Sequence, residues 1–190
     1  LSSSSAASDV YKRQPLVDGL SFTGSTQAGK SIATQAAGRL IPTMLELGGK
    51  NPMLVLDDAP LKPTAQGAVR TAFSSSGQLC MSAERAYVHE SVFEEFLAEL
   101  KNALDQQVLG AAFSDAATIG SLTSQRQLDA VVSHVEDALS KGATVVYGGK
   151  ARPDLGPFFY EPTVLTGVTP KMDLYACLLY TSDAADEEDS

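Results

Sequence analysis

Long apolar runs and an excess of positive charge are both missing from this sequence. No stretch of about 18 consecutive apolar residues occurs, so no membrane-spanning helix is predicted. Acidic residues outnumber basic ones by 23 to 14, which gives a formal net charge of −9. Because nucleic acids and anionic membranes attract basic surfaces, neither is a predicted partner.

Cysteine and histidine are also scarce, with two residues of each. Cys177 lies in a C-terminal segment of unusual composition, so Cys80 is the single cysteine in the body of the chain. One cysteine cannot form an internal disulfide and suits a reducing compartment, which predicts a cytoplasmic location. His89 and His134 are not at metal-ligand spacing, so no metal site is predicted.

The two ends of the sequence are related to each other. Residues 4–14 are SSAASDVYKRQ and residues 177–187 are CLLYTSDAADE. With suitable codons, DNA encoding the first string has a reverse complement that encodes the second in another frame. Both strings resemble a translated sequencing-library adapter. We therefore predict that residues 1–14 and 177–190 are adapter-derived tails. Ordinary disordered tails are the alternative that their composition allows.

The body of the chain alternates short apolar runs with amphipathic segments. Apolar runs bounded by Gly or Pro predict strands, and apolar residues every three to four positions predict helices. Residues 52–56 are apolar throughout, which is typical of a strand buried on both faces. The alternation indicates an α/β fold with a largely parallel sheet. The predicted strands are 20–23, 44–47, 52–56, 85–89, 143–147 and an extended stretch at 158–165; the predicted helices are 26–40, 61–75, 91–104 and 124–141.

A phosphate-binding P-loop is one hypothesis for the first strand–helix junction. The string GSTQAGKS at residues 24–31 matches the pattern G-x-x-x-x-G-K-[ST], and it follows a strand and opens a helix. A nucleotide hydrolase is therefore an alternative function. Against it, the loop interior has no extra glycine to ease wrapping around phosphates. The hypothesis also leaves Glu46 and Cys80 without a role.

Two short strings carry a carboxylate and a thiol. They are ELGGK at residues 46–50 and GQLC at residues 77–80. A thiol that attacks a carbonyl carbon and a carboxylate that activates water are suited to forming and hydrolysing a thioester. These strings, with FTGS at 22–25 and YEPTVLTGV at 160–168, resemble the aldehyde dehydrogenase superfamily. In detail, the sequence of these strings is most similar to that of bacterial succinate-semialdehyde dehydrogenases.

The resemblance implies an oxidoreductase that converts an aldehyde, succinate semialdehyde among the candidates, to a carboxylic acid with NAD or NADP. It implies that Cys80 is the nucleophile, that Glu46 is the general base, and that Arg85 pairs with a carboxylate near the site or with substrate. The Cys80 backbone N–H would supply half of an oxyanion hole. The residues implied in cofactor binding are Thr23, Gly24, Ser25 and Gly29 for the pyrophosphate, and Leu47 and Gly48 beside the nicotinamide.

The resemblance also implies a division of the chain. Residues 15–46 would end a Rossmann-type cofactor domain, and residues 47–176 would form most of an α/β catalytic domain, with truncation at both ends. The 190-residue chain alone is therefore expected to be inactive, and the full-length protein to be a homodimer or homotetramer. A non-catalytic protein of the same fold is the remaining alternative. The presence of both Cys80 and Glu46 argues against it.

Overall fold

The computed structural model describes residues 16–111 and 116–175. Both predicted tails lie outside the described residues. The chain forms two compact units that divide between Gly49 and Lys50. The assignment of residues 15–46 to a cofactor domain and of 47–176 to a catalytic domain stays a prediction.

The first unit is a strand–helix–strand motif. Its elements are β1 (Leu20–Gly24), α1 (Thr26–Ala37) and β2 (Thr43–Leu47). The two strands pair in parallel, and α1 contacts both of them. Helix α1 buries Ile32 and Ala36, which lie one turn apart on its apolar stripe. The motif therefore has one face covered by the helix and one open face.

The second unit begins with two parallel strands and two helices. Its first elements are β3 (Asn51–Val55), α2 (Leu61–Phe73), β4 (Ala83–Val88) and α3 (Phe93–Asp105). Helices α2 and α3 pack together, and their buried side chains form one core with the end of β3. Burying each large apolar side chain contributes about 1.5–3 kcal/mol. The buried core residues are Val55, Ala65, Ala68, Val69, Phe96, Leu100 and Leu104.

The prediction that β3 is buried on both faces is wrong for the described residues. Val55 is 1% exposed, whereas Leu54 and Leu56 are 68% and 59% exposed. Tyr87, which lies opposite Leu54 on β4, is also exposed. The physical reason is that α2 and α3 cover one face of the strand pair, and no described element of the second unit covers the other.

The second unit continues with a helix and an antiparallel strand pair, which are α4 (Gln125–Ser140), β5 (Thr144–Tyr147) and β6 (Val164–Thr166). As predicted, Ser124 caps α4: its hydroxyl accepts the Gln127 N–H at 3.3 Å. Gly142 has a φ of +98°, the left-handed conformation predicted for a glycine just after the helix. The described sheets are thus two parallel pairs and one antiparallel pair.

The α/β class is confirmed, and several predicted element ends shift. Helix α1 ends at Ala37 rather than residue 40, because Leu40 has a φ of +56° and closes a turn onto the Ala37 carbonyl. Helix α2 ends at Phe73, because Ser75 is left-handed. Of the predicted stretch 158–165, only the last two residues join strand β6. None of the described helices has the length and apolar character needed to cross a bilayer.

Candidate active site

The carboxyl ends of β1 and β2 bring most of the predicted cofactor residues together. Because the strands are parallel, both chains leave the pair at the same edge. Gly24 lies opposite Leu47 at that edge, and Ser25 and Gly48 follow directly. In α/β proteins, ligands bind in the crevice outside the carboxyl ends of the strands. The predicted residues therefore converge on a position suited to a nucleotide.

The same edge holds the N-terminus of α1. Ser25 is the N-cap, with extended backbone (φ −72°, ψ 148°), and its hydroxyl accepts the Ala28 N–H at 3.3 Å. The first turn contains no acidic residue. The positive end of the helix dipole is therefore not offset by a carboxylate within its own first turn, which favours a negatively charged group there.

A glycine lets α1 lie close to β2. Gly29 is buried, and a Cβ atom built on it would be 2.8 Å from Leu47 Cδ2 and 3.1 Å from Cδ1. Real Cβ atoms essentially never approach another atom within 3.0 Å. A side chain at position 29 would displace the end of the Leu47 side chain, so Gly29 favours close packing of helix on strand, which is also the role of the third glycine in dinucleotide-binding motifs.

Glu46 and Thr23 lie on the open face of the strand pair. They are opposite each other in the parallel register, and both are exposed. The next residue, Leu47, has its side chain on the helix side, against Gly29. Since side chains alternate along a strand, the Glu46 carboxylate is directed away from α1. It is accessible, as a general base must be.

The P-loop hypothesis is wrong for this junction. Helix α1 already begins at Thr26, so residues 26–29 are helical and do not form a loop that could wrap a phosphate. The Gly29 N–H donates to the Ser25 carbonyl at 2.9 Å and is used within the helix. Lys30 lies in the second turn, whereas a P-loop lysine opens its helix.

Cys80 lies in the second unit, on a loop of residues 74–82 between α2 and β4, here called the nucleophile loop after the role predicted for Cys80. The thiol is free and exposed. Three consecutive residues of the loop are left-handed: Ser75, Ser76 and Gly77, with φ values of +51°, +58° and +72°. Left-handed non-glycine residues cost of order 1–3 kcal/mol each and persist only where surrounding contacts hold them.

Contacts to residues 120–123 fasten the first half of the nucleophile loop. The Ser76 hydroxyl donates to the Gly120 carbonyl at 2.9 Å, and the Gln78 side-chain carbonyl accepts the Thr123 N–H at 2.9 Å. The Gln78 amide also donates to the Ser75 carbonyl at 3.1 Å. These bonds hold the strained backbone at the point where it turns toward Cys80.

One side chain fastens the second half of the loop. The Asn51 amide donates to the Cys80 carbonyl at 2.7 Å and to the Ser82 carbonyl at 3.0 Å. The sequence prediction did not assign Asn51 a role. Its one signal is its place directly after the Gly-Gly-Lys string. A contact across 29 residues leaves no local pattern from which it could be inferred.

Arg85 has no carboxylate partner among the described residues, and its pairing with substrate, the other expectation, stays a prediction. Its guanidinium donates to the Tyr175 carbonyl at 2.7 Å and to the Tyr87 hydroxyl at 2.9 Å. It also lies over the Tyr175 ring, 4.0 Å from the centroid. Arg85 therefore ties β4 to the residues after β6. The nearby cation that does hold a carboxylate is Lys50, 2.7 Å from Glu84.

The two predicted reactive groups belong to different units. Glu46 lies in the first and Cys80 in the second, and each is exposed within its own unit. Within residues 16–111 and 116–175, no three His, Cys, Asp or Glu side chains are grouped as a metal site. The groups available for chemistry are thus an exposed thiol, an accessible carboxylate and a helix N-terminus that favours an anion.

These features define an α/β protein with a parallel strand edge at a helix N-terminus and an exposed cysteine on a loop held by side-chain hydrogen bonds. The model of the aldehyde dehydrogenase family matches residues 2–177. The chain therefore belongs to the aldehyde dehydrogenase family.

Named relatives agree with this assignment. The chain is 50% identical over 159 residues to a Mycobacterium tuberculosis protein with the provisional name succinate-semialdehyde dehydrogenase [NADP(+)] 2, covering 84% of this chain and 31% of the relative. The structure of a Burkholderia pseudomallei succinate-semialdehyde dehydrogenase is 41% identical, with a TM-score of 0.81, over 86% of this chain and 34% of that one. An E. coli NADP-dependent enzyme has 38% identity and a TM-score of 0.86, over 90% and 36% of the two chains. The chain thus spans about a third of the length of its relatives.

Proposed function

We propose that the protein oxidises an aldehyde to a carboxylic acid with NAD+ or NADP+ as the hydride acceptor. Family membership supports this reaction. The observation that carries it is the exposed Cys80 thiol on a strained loop that side-chain hydrogen bonds tie to other parts of the second unit. A buried structural cysteine would need none of these anchors.

Cys80 begins the reaction. Its thiolate adds to the aldehyde carbon, and the carbonyl π electrons move to oxygen, which gives a tetrahedral thiohemiacetal. The Cys80 backbone N–H is the proposed donor to the negative oxygen. When that oxygen re-forms the carbonyl, the former aldehyde hydrogen leaves as hydride, and the product is an acyl thioester on Cys80.

Glu46 completes the reaction. Its carboxylate takes a proton from water as the water oxygen attacks the thioester carbon. The carbon–sulfur bond then breaks, which releases the carboxylic acid and returns the thiolate. An exposed glutamate on the open face of β2 suits this role, because its carboxylate is accessible both to water and to the group that the water attacks.

The strand edge of the first unit fits a dinucleotide. Gly24, Ser25 and the N-terminus of α1 would hold the pyrophosphate, with Thr23 beside them, and Gly29 allows the helix to lie close enough. Leu47 and Gly48 would lie beside the nicotinamide. When bound, the nicotinamide supplies the hydride acceptor.

The finer assignment of substrate and cofactor comes from the named relatives. We propose succinate semialdehyde as the first substrate to test and NADP+ as the first cofactor, because the name of the Mycobacterium tuberculosis relative gives both. We also propose that the full-length protein is a homodimer or homotetramer and that it is located in the cytoplasm. A single thiol in the described residues supports the reducing compartment.

The test uses a full-length chimera, in which residues 16–175 replace the matching segment of the Mycobacterium tuberculosis relative. The purified chimera is mixed with NAD+ or NADP+ and with succinate semialdehyde or butanal, an aldehyde of equal carbon number without the carboxylate. Absorbance of the reduced nicotinamide measures turnover, and light scattering measures the oligomeric state. We expect aldehyde-dependent reduction, faster with succinate semialdehyde and with NADP+.

A folded chimera that reduces neither cofactor with either aldehyde would contradict the proposed reaction. Equal rates with both aldehydes would keep the reaction and remove the substrate assignment. The unmodified relative is the positive control for assay conditions, and the 190-residue chain alone is assayed beside it.

A further inference from the structure

We propose that Asn51 is a positioning residue for Cys80, and this rests on the proposed role of Cys80 as nucleophile. One amide group makes both contacts, donating to the Cys80 carbonyl at 2.7 Å and to the Ser82 carbonyl at 3.0 Å. An NH2 group has two donor hydrogens, so the pair of bonds uses the full capacity of the group. No other side chain in the described residues bonds the backbone of Cys80.

The irregular start of β3 gives Asn51 this reach. In the parallel register, Asn51 lies opposite Ala83 and the next residue, Pro52, lies opposite Arg85. One residue of β4, Glu84, is therefore extra, and Pro52 has no N–H to continue the ladder. Such irregularities re-aim a side chain near functional sites. Here the irregular register lies at the amino-terminal edge of the strand pair, where the Asn51 side chain contacts the nucleophile loop.

The two bonds fix the backbone on the C-terminal side of the thiol. The Cys80 carbonyl belongs to the planar peptide that joins Cys80 to Met81, so holding its oxygen fixes ψ of Cys80. The Ser82 N–H donates to the Leu79 carbonyl at 3.1 Å and closes a turn around the thiol. Asn51 therefore holds the middle and the end of the turn that presents Cys80.

The same bonds leave the N–H groups beside the thiol available. In a trans peptide the carbonyl and the following N–H point in opposite directions, so the Met81 N–H points away from Asn51. Among the described residues, neither the Cys80 nor the Met81 N–H donates to a protein acceptor. Available donors next to the nucleophile are what an oxyanion requires when a thiol attacks a carbonyl.

A matched control exists on the same loop. Ser76 also anchors the loop, through the Gly120 carbonyl at 2.9 Å and the Ser121 carbonyl at 3.3 Å, but it lies four residues before the thiol. Loss of a side-chain hydrogen bond costs about 1 kcal/mol at either position. A purely structural role for Asn51 would therefore make its variants behave like Ser76→Ala.

The experiment compares Asn51→Asp, Asn51→Ala and Ser76→Ala in the full-length chimera. Asn51→Asp keeps the size and replaces both donors by an acceptor. Thermal melting gives stability, steady-state kinetics give kcat and KM separately, and iodoacetamide alkylation of Cys80 is followed across pH by peptide mass spectrometry. We expect Asn51→Asp to lower kcat by about 10–100-fold and to change the alkylation profile, with KM altered by less than about threefold.

The control result completes the design. Ser76→Ala should lower the melting temperature but change kcat and the alkylation profile less than Asn51→Asp does, because its hydrogen bonds lie four residues before the thiol. An Asn51→Asp variant with a lower melting temperature but with kcat and alkylation like the parent would overturn the proposal. If Asn51→Ala does not fold, Asn51→Asp, which has the same size as the parent residue, still distinguishes a positioning role from a structural one. If the parent chimera oxidises no aldehyde, the proposed function fails, and the alkylation comparison still tests the positioning role.

Discussion

The two units hold their functional groups in different ways. In the first, the strand edge is built by backbone: parallel strands, a helix N-terminus and Gly29, within one continuous stretch of residues. In the second, the nucleophile loop is held by side chains, with Asn51 reaching it across 29 residues and Gln78 reaching Thr123 across 45. We therefore expect the geometry of the strand edge in the first unit to tolerate exchange of most side chains, and the geometry of the nucleophile loop to depend on a few of them.

The largest expected effect tests the chemical contribution of the second unit. In the chimera, Cys80→Ser should lower aldehyde oxidation by more than about 10³-fold, because a serine hydroxyl without a dedicated base is a far weaker nucleophile. A stopped-flow trace should show no burst of reduced nicotinamide, since the hydride leaves only after the sulfur has added. Retained turnover would assign the nucleophile elsewhere. Unchanged circular dichroism serves as the control for folding.

The next effect tests the chemical contribution of the first unit. Glu46→Gln should lower steady-state turnover by about 10²–10⁴-fold, because the amide cannot accept a proton from water. The thioester should still form. We therefore expect a burst of reduced nicotinamide close to one per active site, followed by a slow phase. The absence of both burst and turnover would mean that Glu46 acts before hydride transfer, most directly on the thiol.

A pair of glycine substitutions sharpens the comparison between backbone and side-chain control. Gly29→Ala places a Cβ 2.8 Å from Leu47 Cδ2, the end of a flexible side chain that can shift, so we expect an overpacking cost near the lower end of about 1–3 kcal/mol. The gain in helix propensity offsets about 1 kcal/mol of it. We expect a net change of less than about 1 kcal/mol in the free energy of unfolding, together with weaker binding of the dinucleotide in a fluorescence titration, because the displaced Leu47 side chain lies at the strand edge.

Gly67→Ala is the matched control on α2. A Cβ built there meets no atom within 4 Å, so the substitution should raise the free energy of unfolding by about 0.4–1 kcal/mol. Dinucleotide affinity should not change. If both alanines stabilised the protein equally, the close approach of α1 to β2 would not depend on Gly29.

This contrast also explains how far the sequence could predict the molecule. The element types and the Ser124 cap follow from apolar periodicity and single polar residues, which are local signals. The left-handed Ser75 and Ser76 could not be predicted, because serine has no preference for that conformation and distant contacts impose it. The exposure of one face of β3 could not be predicted for a similar reason. An apolar run shows which side chains a strand can bury, but it does not show whether another element covers them. The placement of Glu46 and Cys80 as reactive residues stays a prediction.

The smallest expected effect lies away from both reactive groups, where surface charge alone is tested. A hydrogen bond from Lys141, and a second from the Asp173 N–H, lower the pKa of the Asp137 carboxyl below its ordinary value of 3.8. A carboxyl with a lowered folded-state pKa adds stability above the unfolded-state value and loses it as the pH falls through the folded-state value. Asp137→Asn should therefore lower the melting temperature of the chimera slightly at neutral pH, and the difference should vanish in strongly acidic buffer. Asp129→Asn is the control, since that carboxylate contacts the neutral Gln125 side chain. A difference that persisted undiminished in acid would mean that Asp137 acts through packing, because only a contribution from its charge disappears on protonation.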